Sequence, residues 1–215
     1  AINPQDLPNV AGDTISRAAL TGEAGMVLWR TRTVSPFAHY VHSYRHPNLE
    51  ELLFSGPATT GNIVPNVRVQ PETGNNVDLG IKVHAGRIAG SLAYFNNTYN
   101  GFISTEVVAQ APGGSISQAI NLAKVRIQGV EAQADGPFAL AGLLWSPSGS
   151  FTWNRGTVLS GWSPLFELAG EPQDNITPFK IAAGLRLADR HERWWASYDL
   201  RMETDVTRLS PLLSV

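Results

Sequence analysis

The chain has 215 residues, 43% of them hydrophobic and 16% charged, with a formal net charge of −2, 20 Gly, 14 Pro and no Cys. Without Cys there are no disulfide scaffolds, Cys-ligated zinc sites, iron–sulfur clusters or thiol catalysis, and near-zero net charge spread along the chain goes against a nucleic-acid partner. No run approaches the ~18 apolar residues of a membrane-spanning helix, while the charged fraction is below the ~25% usual in soluble domains, so the chain is either soluble or meets a membrane as β-structure, and the shortage of charge favours the second.

Gly or Pro interrupts most windows before apolar residues recur at helical spacing, so strands are expected. Runs 20–32 and 36–44, rich in aromatic and β-branched residues, come first. Val77, Leu79, Ile81 and Val83 then alternate with Asp78, Gly80, Lys82 and His84, the period of a strand with two unlike faces. Runs 88–103, 119–134 and 138–155 follow. Near the end, Phe179, Ile181, Ala183, Leu185 and Leu187 alternate with Lys180, Ala182, Gly184, Arg186 and Ala188; after a polar turn at 189–193 the pattern resumes from Trp194 to Glu203 as a hairpin with one apolar face. About eight strands result. Short turns (33–35, 86–87, 136–137, 189–193) alternate with long links (45–76, 104–118, 156–176), and this sorting of loop lengths by end is that of an antiparallel up-and-down transmembrane β-barrel. Trp29, Trp145, Trp153, Trp194, Trp195 and Tyr198, near strand ends, suit its aromatic girdles. A soluble β protein would use the same aromatics as core.

Chemistry is sparse. On a strand His39 and His42 point to opposite faces, and His42 and His46 stand ~13 Å apart at ~3.3 Å per residue, too far for one metal ion. Glu50 and Glu51 have no partner base placed nearby, and hydrolase elbows, P-loops and dinucleotide fingerprints are absent. No catalysis and no cofactor are expected. If the alternation holds, Arg45, Arg126, Arg155, Arg186 and Arg201 face a lumen or a rim, attracting an anionic ligand or pairing with Glu131, Asp199 and Glu203. The small residues Gly80, Ala182, Gly184 and Ala188 fall on the inward side.

The segment Tyr44-Arg45-His46-Pro47-Asn48-Leu49-Glu50-Glu51-Leu52, followed by Gly61-Asn62-Ile63-Val64-Pro65-Asn66 and by Gln70-Pro71-Glu72-Thr73-Gly74-Asn75-Asn76, resembles the barrel region of TonB-dependent outer-membrane receptors. That family has an aromatic-Arg-x-Pro box with an acidic "EEL", then an Asn-Pro loop and a "PET" lead-in to a strand. Further matches keep the family order: Tyr94 to Tyr99 with Phe102-Ile103, the "N…GVE" strand from Asn121 to Glu131, and Ile176-Thr177-Pro178 with Gly184-Leu185-Arg186. The resemblance implies a 22-stranded barrel filled by an N-terminal plug, in the outer membrane of a Gram-negative bacterium. It also implies uptake of a ferric siderophore, haem or similar scarce nutrient, energised through the TonB complex, with long loops capturing the ligand and outer-membrane lipid around the wall. Tyr44, Arg45, His46, Pro47, Asn48, Glu50, Glu51, Leu52, Asn66, Pro71 and Glu72 become motif residues that shape a loop; no residue is assigned to the ligand. Haem-transporting members carry a His between the first two boxes, whereas residues 48–64 here contain none; His46 lies within the first box. No plug, TonB-contacting box or aromatic-ended final strand is recognisable, so residues 1–215 are expected to be part of a barrel domain. Two rivals remain: a self-contained eight-stranded outer-membrane barrel with a structural or adhesive role, closed by residues 1–20 or 205–215, and a soluble barrel holding an apolar ligand.

Overall fold

The computed structural model describes residues 18–28, 31, 33–58, 61–161, 169–173 and 176–205. Alternating stretches of β-branched and aromatic residues become one antiparallel sheet, because the period of two gives each strand an apolar and a polar side. The strands are β1 (Gly22–Val27), β2 (Val34–Arg45), β3 (Gly56–Ala58), β4 (Gly61–Val64), β5 (Glu72–Ala85), β6 (Ile88–Ala111), β7 (Gly114–Asp135), β8 (Phe138–Leu140), β9 (Leu143–Ser160), β10 (Phe179–Asp189) and β11 (Trp195–Glu203). One short helix, α1 (Leu49–Leu53), lies between β2 and β3. Eight strands run in the order β1-β2-β5-β6-β7-β9-β10-β11, which is the up-and-down order predicted. Among the described residues β1 and β11 are both edges, so the sheet is open, and the closure that a self-contained eight-stranded barrel needs is not made by them. Of residues 1–20 and 205–215, to which that rival assigned the closure, 1–17 and 206–215 lie outside the described residues.

The two faces differ as the alternation requires. Phe37, Asp78, Ala93, Phe95, Ile127, Glu131, Asn154 and Lys180, from six neighbouring strands, share a hollow of about 650 Å³, which marks the concave, inward face. The opposite face carries exposed Tyr40, Leu79, Ile81, Leu92, Tyr94, Trp153, Leu185, Tyr198 and Leu200. Such an apolar belt on the convex side is stable only against an apolar medium, and it excludes the soluble barrel, which needs these residues turned inward. Inward glycines are covered by rings across the ladder: Phe37 over Gly80, Phe95 over Gly129 and Tyr99 over Gly74 are direct register partners. At Gly129 an added Cβ would collide with the Trp153 carbonyl as well as the Phe95 ring, so ring and backbone together require glycine.

The ends of the sheet differ too. At one end the connections are tight: Gly86, with a φ of +64°, turns β5 into β6. Between β10 and β11 the Asp189 carboxylate accepts from the His191 and Arg193 amides and from Arg193 Nε. Burial works against its charge, but these donors hold its pKa below the ordinary value. Trp145 stacks on Phe138 here, and Trp194 and Trp195 are exposed beside them. Trp29 lies outside the described residues.

Several expected boundaries move. Residues 104–118 are not a long link: β6 and β7 run on as a hairpin of 24- and 22-residue strands, broken by one register shift between Val107 and Ala109. The membrane period fades there because neither face meets lipid, so polar residues on both sides read as loop. For the same reason β5 starts at Glu72 rather than Val77, and β9 reaches Ser160. The run 138–155 divides into β8, folded back on β9, and β9 itself. Arg126 and Arg155 face outward rather than into the lumen, since their register rows run through outward Tyr40 and His42. Glu131 and Asp199 take no ion pair among the described residues; Lys180 pairs with Glu203 and Arg186 with Glu192.

Leu79, half exposed in the middle of the outward belt, tests the facing. Leu79→Arg should destabilise the membrane-inserted protein by about 2–4 kcal/mol, while inward Asp78→Asn should change it by less than about 1 kcal/mol. Urea unfolding in lipid vesicles distinguishes this facing from its reverse, in which the two effects exchange.

Candidate functional site

At the end away from the tight turns, residues 46–58 and 61–71 fold against the long β6–β7 hairpin. Asn48 starts α1: its side chain accepts from the Glu51 amide at 2.7 Å while Glu51 Oε2 accepts from the Asn48 amide at 2.8 Å, a reciprocal cap. That cap orients Glu51 toward the end of β2. There Arg45 donates from Nη1 to both Glu51 oxygens, at 2.9 and 3.1 Å, and from Nε and Nη2 to the two oxygens of its register partner Glu72, at 2.7 and 3.1 Å. One guanidinium thus bridges two carboxylates, with the two-pronged geometry that Lys does not provide. Its pKa is raised first by the bond to Glu72, against the opposing effect of burial, and then by Glu51, so Arg45 stays charged throughout the working range. Glu72, only 7% exposed, also accepts from the Ile103 amide of β6 at 3.0 Å.

Further bonds hold the returning part of the loop. Asn66 accepts from the Arg68 backbone amide on its Oδ1 and donates from Nδ2 to the Ala119 carbonyl at 2.8 Å. Gln118 donates to the Pro65 carbonyl. Asn121 accepts from the Gln70 amide and donates to the Gln70 and Gly101 carbonyls, each at 2.7 Å. β4 adds to the upper edge of β7 as a parallel partner, Gly61 opposite Ser115. An added Cβ on Gly61 would strike the Ser115 backbone, so this approach requires glycine. Leu52 packs on the buried cluster Val69, Ile103 and Ala119.

The structure therefore brings most motif residues together. Arg45, Asn48, Glu51 and Glu72 form one network; Leu52 and Asn66 hold the same loop; Pro71 lies beside Gly101, whose φ of +63° bends β6 where β5 ends. Tyr44 and His46 form an edge-to-face pair at 4.8 Å. Pro47 precedes the cap, and Glu50 stands exposed without a side-chain bond, so Glu50 and Glu51 diverge from one turn of helix. Among the described residues no three His, Asp or Glu are grouped to hold a metal ion; His39 instead lies between Glu23 and Asp78, at 3.5 and 3.4 Å. Of the residues that anchor the loop, Asn121, Gln70 and Ile103 stand in the matched motifs and Gln118 does not; that their amides and carbonyls hold the loop shows only in the fold.

A one-sided apolar wall, tight turns at one end and a braced loop rising at the other define the class: a transmembrane β-barrel wall with a structured mouth. Residues 4–208 match the family model described as TonB dependent receptor-like, beta-barrel, and the chain belongs to this family. Among solved structures it is similar to the copper transporter OprC, with a TM-score of 0.69 at 19% identity over 89% of this chain and 27% of that one. It is also similar to the Serratia marcescens hemophore receptor HasR, in a complex with its hemophore HasA and heme, at 0.64 and 16% over 86% and 32%. The siderophore receptor PirA of Pseudomonas aeruginosa gives 0.53 and 19% over 84% and 34%. These likenesses show the fold, and the chain spans about a third or less of each structure's length. A comparison with curated proteins gave no match.

Removing the shared cation should release the loop. Arg45→Ala leaves Glu72 buried without its partner; with the half-exposed arginine discounted for solvent, the loss is about 1–3 kcal/mol. It should appear as tryptic cutting at Arg68 accelerated by roughly fivefold or more, with the sheet ladder intact by circular dichroism. An unchanged cutting rate would mean that the loop is held by its other bonds alone.

Proposed function

We propose that this chain forms part of the wall and mouth of an outer-membrane receptor in a Gram-negative bacterium, which imports a scarce nutrient with energy delivered through the TonB complex. The observation that carries the reading is the braced β6–β7 hairpin. Strands of 24 and 22 residues exceed the 9–11 that cross a bilayer, so the hairpin stands well beyond the membrane, and residues 46–71 are fastened to it. A loop that merely connected two strands would need neither the length nor the anchors. The ligand class follows from the company the fold keeps: the similar structures are named for copper, for heme with a hemophore, and for siderophores. A ferric siderophore, haem or similar nutrient is the ligand class supported.

In this reading Tyr44, Arg45, His46, Pro47, Asn48, Glu50, Glu51, Leu52, Asn66, Pro71 and Glu72 shape the mouth rather than react. Arg45 is neutralised by two carboxylates, so it serves as a fixed joint, and a saturated ion network is a poor acid or base. The family consists of transport receptors. The inward hollow, lined by Asp78, Glu131 and Lys180 together with Asn97 and Asn154, gives a polar path wall, and Asn76 and Asn97 keep buried carbonyl oxygens there without a hydrogen-bond partner.

Uptake of labelled nutrient by a deletion strain tests this. Loss of the gene should abolish import of one member of the panel ferric siderophore, haem and copper, and a TonB-deficient strain or a protonophore should abolish the same import. Full import of every member without the gene, or import that persists without the energy source, overturns the proposal.

A further inference from the structure

The inward hollow is rich in hydrogen-bond acceptors, and the register shows their arrangement. One inward row runs through Asn76, Asn97, Ile127 and Gly156 on β5, β6, β7 and β9; the next carries Asp78, Phe95, Gly129 and Asn154, and the next Glu131 and Lys180. Gln173, 8% exposed, fills the space over Gly156 and lines an adjoining recess of about 250 Å³ that shares Asn154 and Ile176 with the hollow. The side-chain oxygens of Asn76, Asn97 and Gln173 are buried without a hydrogen-bond partner. From β5 to β9 they extend over three strand spacings, about 14 Å. Asn76 stands four residues from Glu72 on β5, so the row lies about 13 Å beneath the braced mouth.

The charge of the hollow points the same way. Lys180, the cation among its described lining residues, is 3.5 Å from the Glu203 carboxylate. Among the described residues Asp78 meets only the His39 ring, at 3.4 Å, and Glu131 has no ion pair. An anionic ligand is therefore repelled. A buried acceptor without a donor is unfavourable until a ligand supplies one, and turning an amide about its last side-chain bond presents the Asn97 and Gln173 oxygens to the hollow. A lone ammonium reaches one of these oxygens, whereas donors spread over the surface of a larger ligand reach them all. We infer that the hollow selects the ligand: it takes a ferric chelate that presents hydrogen-bond donors and carries no net negative charge, the hydroxamate class, and rejects anionic catecholate chelates and haem. Hydroxamates neutralise the ferric ion with one charge each, while catecholates bring two each and leave an excess. Glu131 sets the charge preference, and Asn97 and Gln173 accept from the donors. The inference rests on the import reading above and names the ligand class.

The receptor carrying this chain, reconstituted in nanodiscs, is titrated with one linear ferric trihydroxamate whose terminal amine is left free, acetylated or succinylated. The same chelate is then cationic, neutral or anionic, and quenching of tryptophan fluorescence reports binding. The cationic and neutral forms should bind about tenfold more tightly than the anionic one at low salt, and a ferric tris-catecholate no better than the anionic form. Glu131→Gln should narrow that difference about threefold, and Glu131→Lys should reverse it. Asn97→Leu and Gln173→Leu should each weaken the neutral form about fivefold without lowering Tm, because each removes an unpaired buried oxygen and no existing bond. Outward Gln128→Ala should leave binding unchanged. Ser91→Cys gives a label site in the hollow of a chain that has no Cys; maleimide should modify it in the free receptor, and the neutral chelate should protect it. Binding of none of the three forms, equal binding of all, native binding by the double leucine variant, or a free receptor whose Ser91→Cys is already shielded by the rest of the protein overturns the selection. Import in cells separates the two readings. Energised import of haem, copper or a catecholate removes only the ligand class, whereas import that persists without the energy source removes the import reading itself.

Discussion

Every backbone N–H and C=O that enters hydrocarbon must find its partner within the protein, and the rest of the structure depends on that constraint. Between β1 and β11 it is met by one continuous sheet, whose two outer edges have no partner among the described residues. Once the ladder is fixed, side chains have only two directions, and each is assigned by its medium. Outward positions become Leu79, Ile81, Leu92 and Tyr94, while inward positions hold Asp78, Glu131 and Lys180. The inward side of a wide barrel is not filled by a core, so its glycines need other support. Phe37, Phe95 and Tyr99 provide it from the neighbouring strand, covering backbone that would otherwise be open to water between ladder bonds.

The same constraint explains the mouth. β6 and β7 outrun their neighbours: β5 ends opposite Asn100 and β9 opposite Lys124. Above those points both hairpin strands have a free edge, and free edges invite pairing with other chains. The loop 46–71 covers them. Glu72 receives the Ile103 amide on the β6 side, Asn66 donates to the Ala119 carbonyl on the β7 side, and β4 pairs with β7 beyond it. The Arg45 network fixes the point from which this covering starts, because Glu72 belongs both to the ion pair and to the edge. Motif residues scattered over nearly thirty positions thereby become parts of one device, and sequence order hides this because the partner lies on β6 and β7.

What was legible follows from which interactions are periodic. Strand alternation within the membrane is repeated many times, so the eight main strands, their order and the tight turns at Gly86 and Asp189 could be read directly. The motif run from Tyr44 to Leu52 identified the family through its spacing. The hairpin above the membrane could not be read as strand, because Ser104, Glu106, Ser115 and Gln118 interrupt any apolar face. The cap at Asn48 carried a local signal, Asn followed three residues later by Glu51, which reading 45–76 as a long link passed over. Arg126 and Arg155 were placed toward the lumen or rim because arginine on a barrel strand suggests water. Only the register shows that their side faces outward.

Outward and inward charge thus follow different rules on one wall. Inward Arg45 and Lys180 sit beside the carboxylates of Glu72 and Glu203, which offset their fields toward the hollow. Outward cations have no such neighbours and keep their fields, but they stand only above the apolar belt, where a charge meets headgroups instead of acyl chains. Moving Arg155 two residues down β9, or Arg126 four residues down β7, would place it among Tyr94, Val130 and Trp153, in a medium with no counter-charge. The boundary between Trp153 and Arg155, two residues apart on one strand, therefore fixes the depth of the wall in the membrane, and with it the height at which the hairpin and its braced loop begin to meet water.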